Sequence, residues 1–177
     1  MLSELLDLGF ILSIDKVRHL IAWLGLVAAH RYPAGKRASF ILPNRLNRQF
    51  TPEKLNRYWP GDITYIRTGQ GWLYLAVSLD LCSRRVFSWT FSDKPNSELT
   101  TRVLRLAVQK RQIKSNVIFH SDLDCQYTSD SFQESLKKGI EGSMSRAENC
   151  LDNTVTEQFF RSLKSGRVSY RRYDTRH

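Results

Sequence analysis

Residues 116–127, NVIFHSDLDCQY, place a short run of β-branched and aromatic residues directly before an acidic turn. The apolar part, Val117 to Phe119, is typical of a buried strand, and Asp122 follows at its carboxyl end. Ligands collect beyond the carboxyl ends of strands in open α/β sheets, so Asp122 is a candidate site residue. An aspartate in this place more often forms a turn or caps a helix. A functional interpretation therefore depends on the partners that the rest of the chain supplies.

The composition favours a globular domain with a polyanionic partner. The chain has 177 residues, of which 41% are hydrophobic and 25% are charged, enough for one domain with a substantial core. Its formal net charge is +10. Nucleic acid is the first partner to expect of so basic a chain and an anionic membrane surface is the second, while a basic surface that serves only solubility is the alternative.

Hydropathy and cysteine usage argue against several classes of protein. The longest apolar run, Leu20 to Ala29, has 10 residues, about half of what a membrane-spanning helix needs. The N-terminus shows no secretory signal pattern. Cys82, Cys125 and Cys150 include no C-x-x-C pair, which argues against a zinc site or a disulfide framework and for a reducing compartment. Cys125 is less readily interpreted as a nucleophile than as an inert thiol.

The chain changes character twice along its length. Residues 1–30 contain one amphipathic helix, over 13–25, which is either the last helix of a helix-turn-helix unit or a helix packed on the main core. Residues 31–57 mix proline, glycine and asparagine with seven Lys or Arg, which predicts a basic linker suited to phosphate contact. Residues 58–177 carry clear strand and helix patterns and form the predicted main domain.

The patterns of the main domain predict the order β-β-β-α-β-α-β-α. Three alternating segments with short connections are typical of an antiparallel meander. The fold class predicted is α/β, more narrowly α+β, with a mixed five-stranded sheet flanked by helices and a short N-terminal helical extension. The predicted strands are 61–68, 72–79, 84–92, 116–120 and 143–145, and the predicted helices begin near Pro95, Ser129 and Thr154, the first of them burying Leu99, Val103, Leu106 and Ala107.

The last predicted helix, Thr154 to Leu163, divides into an apolar and a polar stripe. Asp152 and Asn153 are expected to cap its N-terminus. A polar stripe is ordinarily a solvated face with weak ion pairs. The apolar stripe, expected to face the core, is Val155, Phe159 and Leu163, and the polar stripe is Asn153, Glu157, Arg161 and Lys164.

This strand order can bring three acids together. Asp62 lies in the first strand and Asp122 ends the fourth, so they approach each other if those two strands are neighbours. The last helix can then lay Glu157 across them. Hard divalent cations prefer oxygen ligands, and two such ions can activate the attacking oxygen and stabilise the leaving oxygen of a phosphoryl displacement. Scattered acids are common, so the spacing alone leaves this interpretation open.

Five segments, taken in order, resemble a single protein family. Together they are similar to the catalytic core of bacterial insertion-sequence transposases of the second-reading-frame type, whose core is of the retroviral-integrase kind. The similarity spans roughly residues 44–175. It implies a ribonuclease H-like fold and a DDE triad at Asp62, Asp122 and Glu157. The segments are WPGDITYI (59–66), GWLYLAVSLDLCSRRVFSW (71–89), VIFHSDLDCQY (117–127), GSMSRAENCLDN (142–153) and EQFFRSLKSGRV (157–168).

The resemblance also implies a reaction. Such an enzyme is a polynucleotidyl transferase that hydrolyses DNA at the ends of its element and then joins the freed 3′-hydroxyl to another phosphodiester. Asp62, Asp122 and Glu157 would ligate two Mg²⁺ ions, for which Mn²⁺ can substitute. Asp80 is expected to be a structural cap rather than a catalytic residue. The residues implied in contacting or positioning DNA are Lys164, Arg161, Asn153 and Gln126.

The same resemblance implies partners and a location. Double-stranded DNA, as element ends and as target, would be the partner, and the chain would be a homo-oligomer when bound to DNA ends, with no membrane partner. The location would be the bacterial cytoplasm, with nucleoid association in the DNA-bound state. Residues 1–30 would be a helical remnant of the family's N-terminal DNA-binding region, and residues 58–177 a C-terminally truncated core.

The chain departs from the family's pattern beside the triad. Leu123-Asp124 stands where Arg-Gly is usual, Ala147-Glu148 replaces a Lys-Gly pair, and Leu151 replaces an aromatic residue. Between Asp122 and Glu157 lie 34 residues, one fewer than is usual. We therefore expect a truncated or degenerate copy that keeps the fold and the triad but has lost autonomous transposition. The alternatives are a non-catalytic DNA-binding fragment that interferes with intact transposase, and a related metal-dependent nuclease.

Overall fold

The computed structural model describes residues 41–111, 116–137, 139–146, 150–169 and 171–176. The predicted N-terminal helix and the first part of the predicted linker lie outside these residues, as does the Ala147-Glu148 pair. No helix in the described ranges is both long enough and apolar enough to cross a membrane.

Five strands and three α-helices make up the described part of the main domain, in the predicted order. A 3₁₀ turn, Cys150–Asn153, leads into the last helix, and a π-helical turn, Lys164–Val168, follows it. The fifth strand begins earlier than its sequence pattern indicated. The elements are β1 (Tyr58–Thr68), β2 (Gly71–Leu79), β3 (Val86–Ser92), α1 (Ser97–Arg111), β4 (Val117–Ser121), α2 (Asp130–Leu136), β5 (Ile140–Met144) and α3 (Thr154–Leu163).

The strands form one mixed sheet in the order β3-β2-β1-β4-β5. The β1–β2 and β2–β3 pairs are antiparallel, whereas β1–β4 and β4–β5 are parallel. The prediction of a mixed five-stranded sheet is therefore confirmed, and the first and fourth strands are neighbours, which is the condition for Asp62 and Asp122 to approach each other. Only Tyr58 to Pro60 of β1 pair with β4, so the rest of β1 continues past the end of β4.

Helices pack on both faces of β2. Successive side chains of a strand point to opposite faces, so alternate residues of β2 contact different helices. Tyr74 and Ala76 pack with Val103 of α1. Leu75 and Val77 pack with Phe160 of α3. The largest cluster lies on β1 and β4, where Trp59 and Phe119 meet Tyr127 and Phe132 from the loop and helix after β4. This cluster fixes the two strands whose ends carry Asp62 and Asp122.

The helices bury slightly different faces from those predicted. In α1, Leu104 is fully buried while Leu106 is only partly so, because Leu104 reaches the Trp59 cluster. In α3 the buried residues are Thr156 and Phe160. The residues of the predicted apolar stripe of α3 are only partly buried, and they pack against the edges of the core clusters: Val155, Phe159 and Leu163.

The second part of the predicted linker, residues 41–57, contacts the sheet. Leu46 is fully buried against Tyr58, Leu81 and Ile118. The backbone N–H of Arg45 donates to the Ser143 hydroxyl at 2.9 Å. This segment is thus docked on the main domain rather than extended away from it.

Gly61 provides a test of the packing between β1 and β4. A Cβ atom there would overlap the ring of Phe119, whereas one at Gly166 would meet nothing within 4 Å. We expect Gly61→Ala to lower the free energy of unfolding by about 1–3 kcal/mol, as overpacking of a core does. Gly166→Ala, the matched control, should be neutral or stabilising by up to about 1 kcal/mol. Urea denaturation measures both, and equal stability of the two variants would contradict this account of the packing.

Candidate functional site

The pairing of β1 with β4 brings Asp62 and Asp122 to one edge of the sheet. Pro60 lies opposite His120 in the parallel register, and each aspartate follows two residues later. Asp62 Oδ1 accepts the Ile63 N–H at 2.7 Å. Asp122 Oδ1 accepts the Asp124 N–H at 3.2 Å. The placement beyond the carboxyl end of β4 is that of ligand sites in open α/β sheets.

The electrostatics show that the two carboxylates lie within each other's field. Burial, followed by the negative charge of Asp122, raises the pKa of Asp62 well above its usual value. Burial, followed by the charges of Asp124 and Glu157, raises the pKa of Asp122 to about 7. Among the described residues, no Lys or Arg forms an ion pair with any of these four acids. The site therefore concentrates negative charge that no ion pair with a described residue neutralises.

Asp124, one of the departures from the family pattern, belongs to this site. Its side chain is partly buried, and burial raises its pKa. Its charge raises the pKa of Asp122 more than that of Glu157 does. Its backbone carbonyl accepts the N–H groups of Tyr127 and Thr128, at 3.0 and 3.2 Å, which holds it in a tight turn. The substitution has thus added a fourth carboxylate to the site.

Glu157 lies in the first turn of α3 with an exposed side chain. Its negative charge contributes to the raised pKa of both Asp62 and Asp122, so the helix does bring it to the predicted site. However, no three His, Cys, Asp or Glu side chains in the described part of the chain are close enough together to hold a metal ion. The three acids share one electrostatic field without forming a ready-made ligand cluster.

The polar stripe of α3 continues along the site. The Lys164 ammonium lies 4.3 Å from the centroid of the Tyr65 ring, a cation–π contact. Burial lowers the pKa of Lys164, and the charge of Asp62 partly offsets that effect. Arg161 is exposed on the same helix. Of the two cations predicted to meet DNA, Arg161 therefore lies on the helix that carries Glu157, and Lys164 begins the π-helical turn that follows it.

Asn153 and Gln126 occupy different environments, although both are buried. The Asn153 Nδ2 donates to Asp62 Oδ2 at 3.1 Å, and its Oδ1 accepts the Thr156 hydroxyl at 2.9 Å. The Gln126 Nε2 instead donates to the Pro95 carbonyl at 3.0 Å, before α1. The structure joins Asn153 to the acidic site and ties Gln126 to the adjoining loop, so a role of Gln126 at DNA stays a prediction.

Asp152 precedes Asn153 of the candidate site, but it does not have the role that the sequence predicted for it. We expected it to cap α3, but its carboxylate is fully buried and pairs with Arg48 and Arg146. Asn153 is the N-cap residue of α3 and makes no side-chain capping bond. The local sequence gives no signal for these pairs, because Arg48 is 104 residues distant.

Asp80 is fully buried and organises the β2–β3 loop. Its carboxylate accepts the Asn56 N–H at 2.6 Å and the Ser83 N–H at 2.9 Å. These bonds agree with the structural role expected of it.

Tyr127 is a second residue whose importance the sequence did not reveal. It is completely buried, and its hydroxyl has no hydrogen-bond partner among the described residues. Burial, followed by the charges of Asp62, Asp122 and Asp124, raises the pKa of its hydroxyl well above the usual value. The aromatic cluster beneath the sheet edge thus places a phenol close to the acids.

The raised pKa of Asp122 predicts a pH-dependent stability of the metal-free protein. The folded state favours the neutral acid, since it raises the pKa from 3.8 to about 7. The contribution of this group is therefore fully present below about pH 4 and is lost as the pH rises through about 7. Asp122→Asn, which is neutral at every pH, should be more stable than the parent at about pH 8 and similar to it at about pH 4.

Thermal unfolding of both proteins in EDTA across this pH range tests the prediction; each kcal/mol corresponds to about 2–4 °C in Tm for a chain of this size. Burial lowers the pKa of His120 to about 4, so this group titrates in the same range. It is common to both proteins and cancels in their difference. Asp174→Asn, at an exposed position outside the site, is the control. A gap between parent and Asp122→Asn that is constant with pH, or larger at low pH, would contradict the assignment.

Comparisons with known proteins agree with this architecture. The integrase core domain family matches residues 52–150, more than half of the chain. The transposase InsF for insertion sequence IS3A of Escherichia coli (strain K12) is 44% identical over 125 residues, covering 70% of this chain and 43% of that relative. The transposase for insertion sequence element IS904 of Lactococcus lactis subsp. lactis (strain IL1403) is 34% identical over 166 residues, covering 92% of this chain and 66% of that relative.

A solved structure shows the same fold. The HTLV-2 integrase catalytic core domain, in complex with magnesium in its dimeric form, superposes with a TM-score of 0.52 at 21% identity, covering 64% of this chain and 70% of that one. The ribonuclease H-like fold expected from the sequence is thereby confirmed. The chain spans less than half of the length of the Escherichia coli relative. From the family match, the identities and the fold together, this chain belongs to the integrase core domain family, among the bacterial insertion-sequence transposases.

Proposed function

We propose that this chain is the metal-dependent core of a transposase that hydrolyses DNA at the ends of an insertion element and transfers the freed strand, in a copy that has degenerated beside its triad. The observation that carries the proposal is the common field of Asp62, in β1, Asp122, just beyond the carboxyl end of β4, and Glu157. Among the described residues no Lys or Arg forms an ion pair with these acids, although Lys164 lies within the field of Asp62.

The residues present fit a hard divalent cation by their chemistry. Carboxylate oxygens are the ligands that Mg²⁺ prefers, and a bound cation would offset the repulsion that raises the pKa values of Asp62 and Asp122. Asp62, Asp122 and Glu157 would hold two Mg²⁺ ions, or Mn²⁺ in their place. Bound metal would supply an activated oxygen nucleophile and neutralise the charge that develops on the leaving oxygen. The magnesium complex of the HTLV-2 integrase core supports this choice of ion.

The chain's own groups then orient the reactants. The Asn153 amide and the Ile63 N–H each occupy one oxygen of Asp62, which fixes that carboxylate in a single orientation. Lys164, held over the Tyr65 ring, presents a cation beside Asp62 where a phosphate of the bound strand would lie. The exposed Arg161 would add a second phosphate contact.

Double-stranded DNA, as element ends and target, is the partner we propose. The net charge of +10 supports it, because neutralising phosphates is the main source of affinity for DNA. We further propose that the chain is a homo-oligomer on the DNA ends. The dimeric form of the HTLV-2 core supports this state.

A non-catalytic DNA-binding fragment that interferes with intact transposase is the second candidate. One observation favours it: no three metal-ligating side chains stand ready together in the described ranges. The fourth acid, Asp124, also weighs against catalysis, since its charge raises the pKa of Asp122 and so disfavours the ionised carboxylate that a metal would need.

Substitution of the triad separates the two candidates. Asp62→Asn, Asp122→Asn and Glu157→Gln should each reduce Mn²⁺-dependent nicking of supercoiled plasmid DNA by more than about a hundredfold, because outer-shell changes alone cost about 10–100-fold at metal sites. Glu134→Gln, which alters only an exposed pair with Lys137, should leave the rate unchanged. Analysis of the products for strand joining distinguishes a transposase from a nuclease. DNA binding by the parent without metal-dependent nicking would support the fragment instead.

Asp124→Asn tests whether the fourth acid impairs the site. Removing its charge should strengthen DNA binding at about pH 8 by roughly 1 kcal/mol, or about fivefold in Kd, because the carboxylate then no longer repels phosphate. Fluorescence anisotropy with a duplex oligonucleotide in EDTA measures the change without any contribution from metal. Asp93→Asn, in an exposed side chain outside the site, is the matched control. Equal effects of the two substitutions would mean that Asp124 does not face the DNA.

A further inference from the structure

The carboxylate of Asp152 is the most heavily hydrogen-bonded acid among the described residues. It is fully buried, yet two guanidinium groups reach it. Its Oδ2 accepts from Asn44 Nδ2 at 2.8 Å and from the backbone N–H and Nε of Arg146 at 3.1 and 3.0 Å. Its Oδ1 accepts from Arg48 Nε and Arg146 Nη2, both at 3.1 Å. A buried charge with this many charge-assisted partners has a single well-defined position.

These partners come from distant parts of the chain. Asn44 and Arg48 belong to the segment that precedes β1, and Arg146 follows β5. The Asp152 backbone carbonyl also lies 3.1 Å from a ring nitrogen of His120, in the strand that leads to Asp122. Asp152 therefore connects three segments at the point where α3 begins.

Two site residues follow Asp152 closely in the chain. Asn153, the next residue, donates to Asp62 at 3.1 Å. Glu157 lies in the first turn of the helix that starts at Thr154. Because a helix is stiff over one turn, fixing its first residue fixes where Glu157 can reach. The bonds of Asp152 thus determine how the beginning of α3 faces the β1 and β4 acids.

We infer that Asp152 is a positioning residue of the active site: its clamp on Arg48 and Arg146 sets Asn153 against Asp62 and Glu157 beside the aspartate pair. This inference rests on the proposed function for its catalytic consequence. The Arg146 side-chain hydrogen bonds hold the pKa of Asp152 well below its usual value, which keeps the clamp ionised at neutral pH. Asp152 itself is enclosed by its partners and touches no reacting group.

Asp152→Asn is the decisive substitution because it preserves the shape of the side chain and replaces one accepting carboxylate oxygen with a donating amide nitrogen. An amide nitrogen in place of Oδ2 would face three donors, one from Asn44 and two from Arg146. Asp80→Asn is the matched control. Asp80 is equally buried and accepts bonds from Asn56 and Ser83, but among the described residues its carboxylate makes no hydrogen bond to α3 or to the groups that bond Asp152. Both substitutions should therefore lower stability.

Two readouts, taken on the full chain below the lower Tm, separate positioning from stability. The first is the side-chain amide NMR signal of Asn153 in the metal-free protein, assigned by its loss in Asn153→Ser. The second is Mn²⁺-dependent nicking of supercoiled plasmid DNA, analysed as kcat and KM. In Asp152→Asn the amide signal should move toward that of solvent-exposed amides, and kcat should fall by about 10–100-fold with KM within about twofold, as small misplacements of reacting groups cause. Asp80→Asn should change neither readout.

An unmoved Asn153 signal with unchanged kcat in Asp152→Asn would overturn the inference, as would equal losses in the two variants. If the parent does not nick DNA, the proposed function fails, and the NMR signal alone decides the positioning role. If Asp152→Asn does not fold, Arg146→Lys replaces it, since it keeps the charge but removes the paired guanidinium bonds. It should shift the Asn153 signal in the same direction by a smaller amount, and an unchanged signal would count against the clamp.

Discussion

The short parallel pairing of β1 with β4 is the constraint on which the site depends. It involves only Tyr58 to Pro60, and it places Asp62 just past the last pair while Asp122 leaves the end of β4. The approach is close because Gly61 has no side chain and the Phe119 ring occupies the space that a Cβ would take. The acids therefore lie at the rim of the aromatic cluster that holds the two strands together. The packing of that cluster thus determines the geometry of the site.

Two kinds of buried acid coexist near this rim, and their environments separate their roles. Asp152 has two guanidinium partners and a lowered pKa, the state of a carboxylate that stabilises the fold as an ion. Asp62 and Asp122 have no cationic partner among the described residues and raised pKa values. Like charges held together in this way destabilise the metal-free fold, and the apolar core offsets that cost. Opposite pKa directions in the same residue type thus separate the ion-paired Asp152 from the acids for which we propose a ligand.

Local sequence patterns predicted much of the fold because each strand carries its own signal. The run from Val117 to Phe119 and the apolar β2 segment identified buried strands, and the acid at the end of β4 identified the site edge. The family resemblance, rather than spacing, connected Glu157 with the two aspartates. What the patterns missed is set by contacts between distant residues. The choice of Leu104 over Leu106 in α1 depends on the Trp59 cluster, and the role of Asp152 depends on Arg48, at a separation of 104 residues.

The energetics also bear on why a chain with an altered site would still carry the triad. Asp62, Asp122 and Glu157 do not hold the fold together, since each raises the pKa of a neighbouring acid or has its own raised by one. Fold stability comes instead from the apolar clusters and from the compensated charge of Asp152. Folding therefore explains why the clusters and the clamp are present, but it does not explain the three acids, which the proposed metal binding would do. Asp124 likewise adds to the repulsion at Asp122, so folding does not explain its presence either.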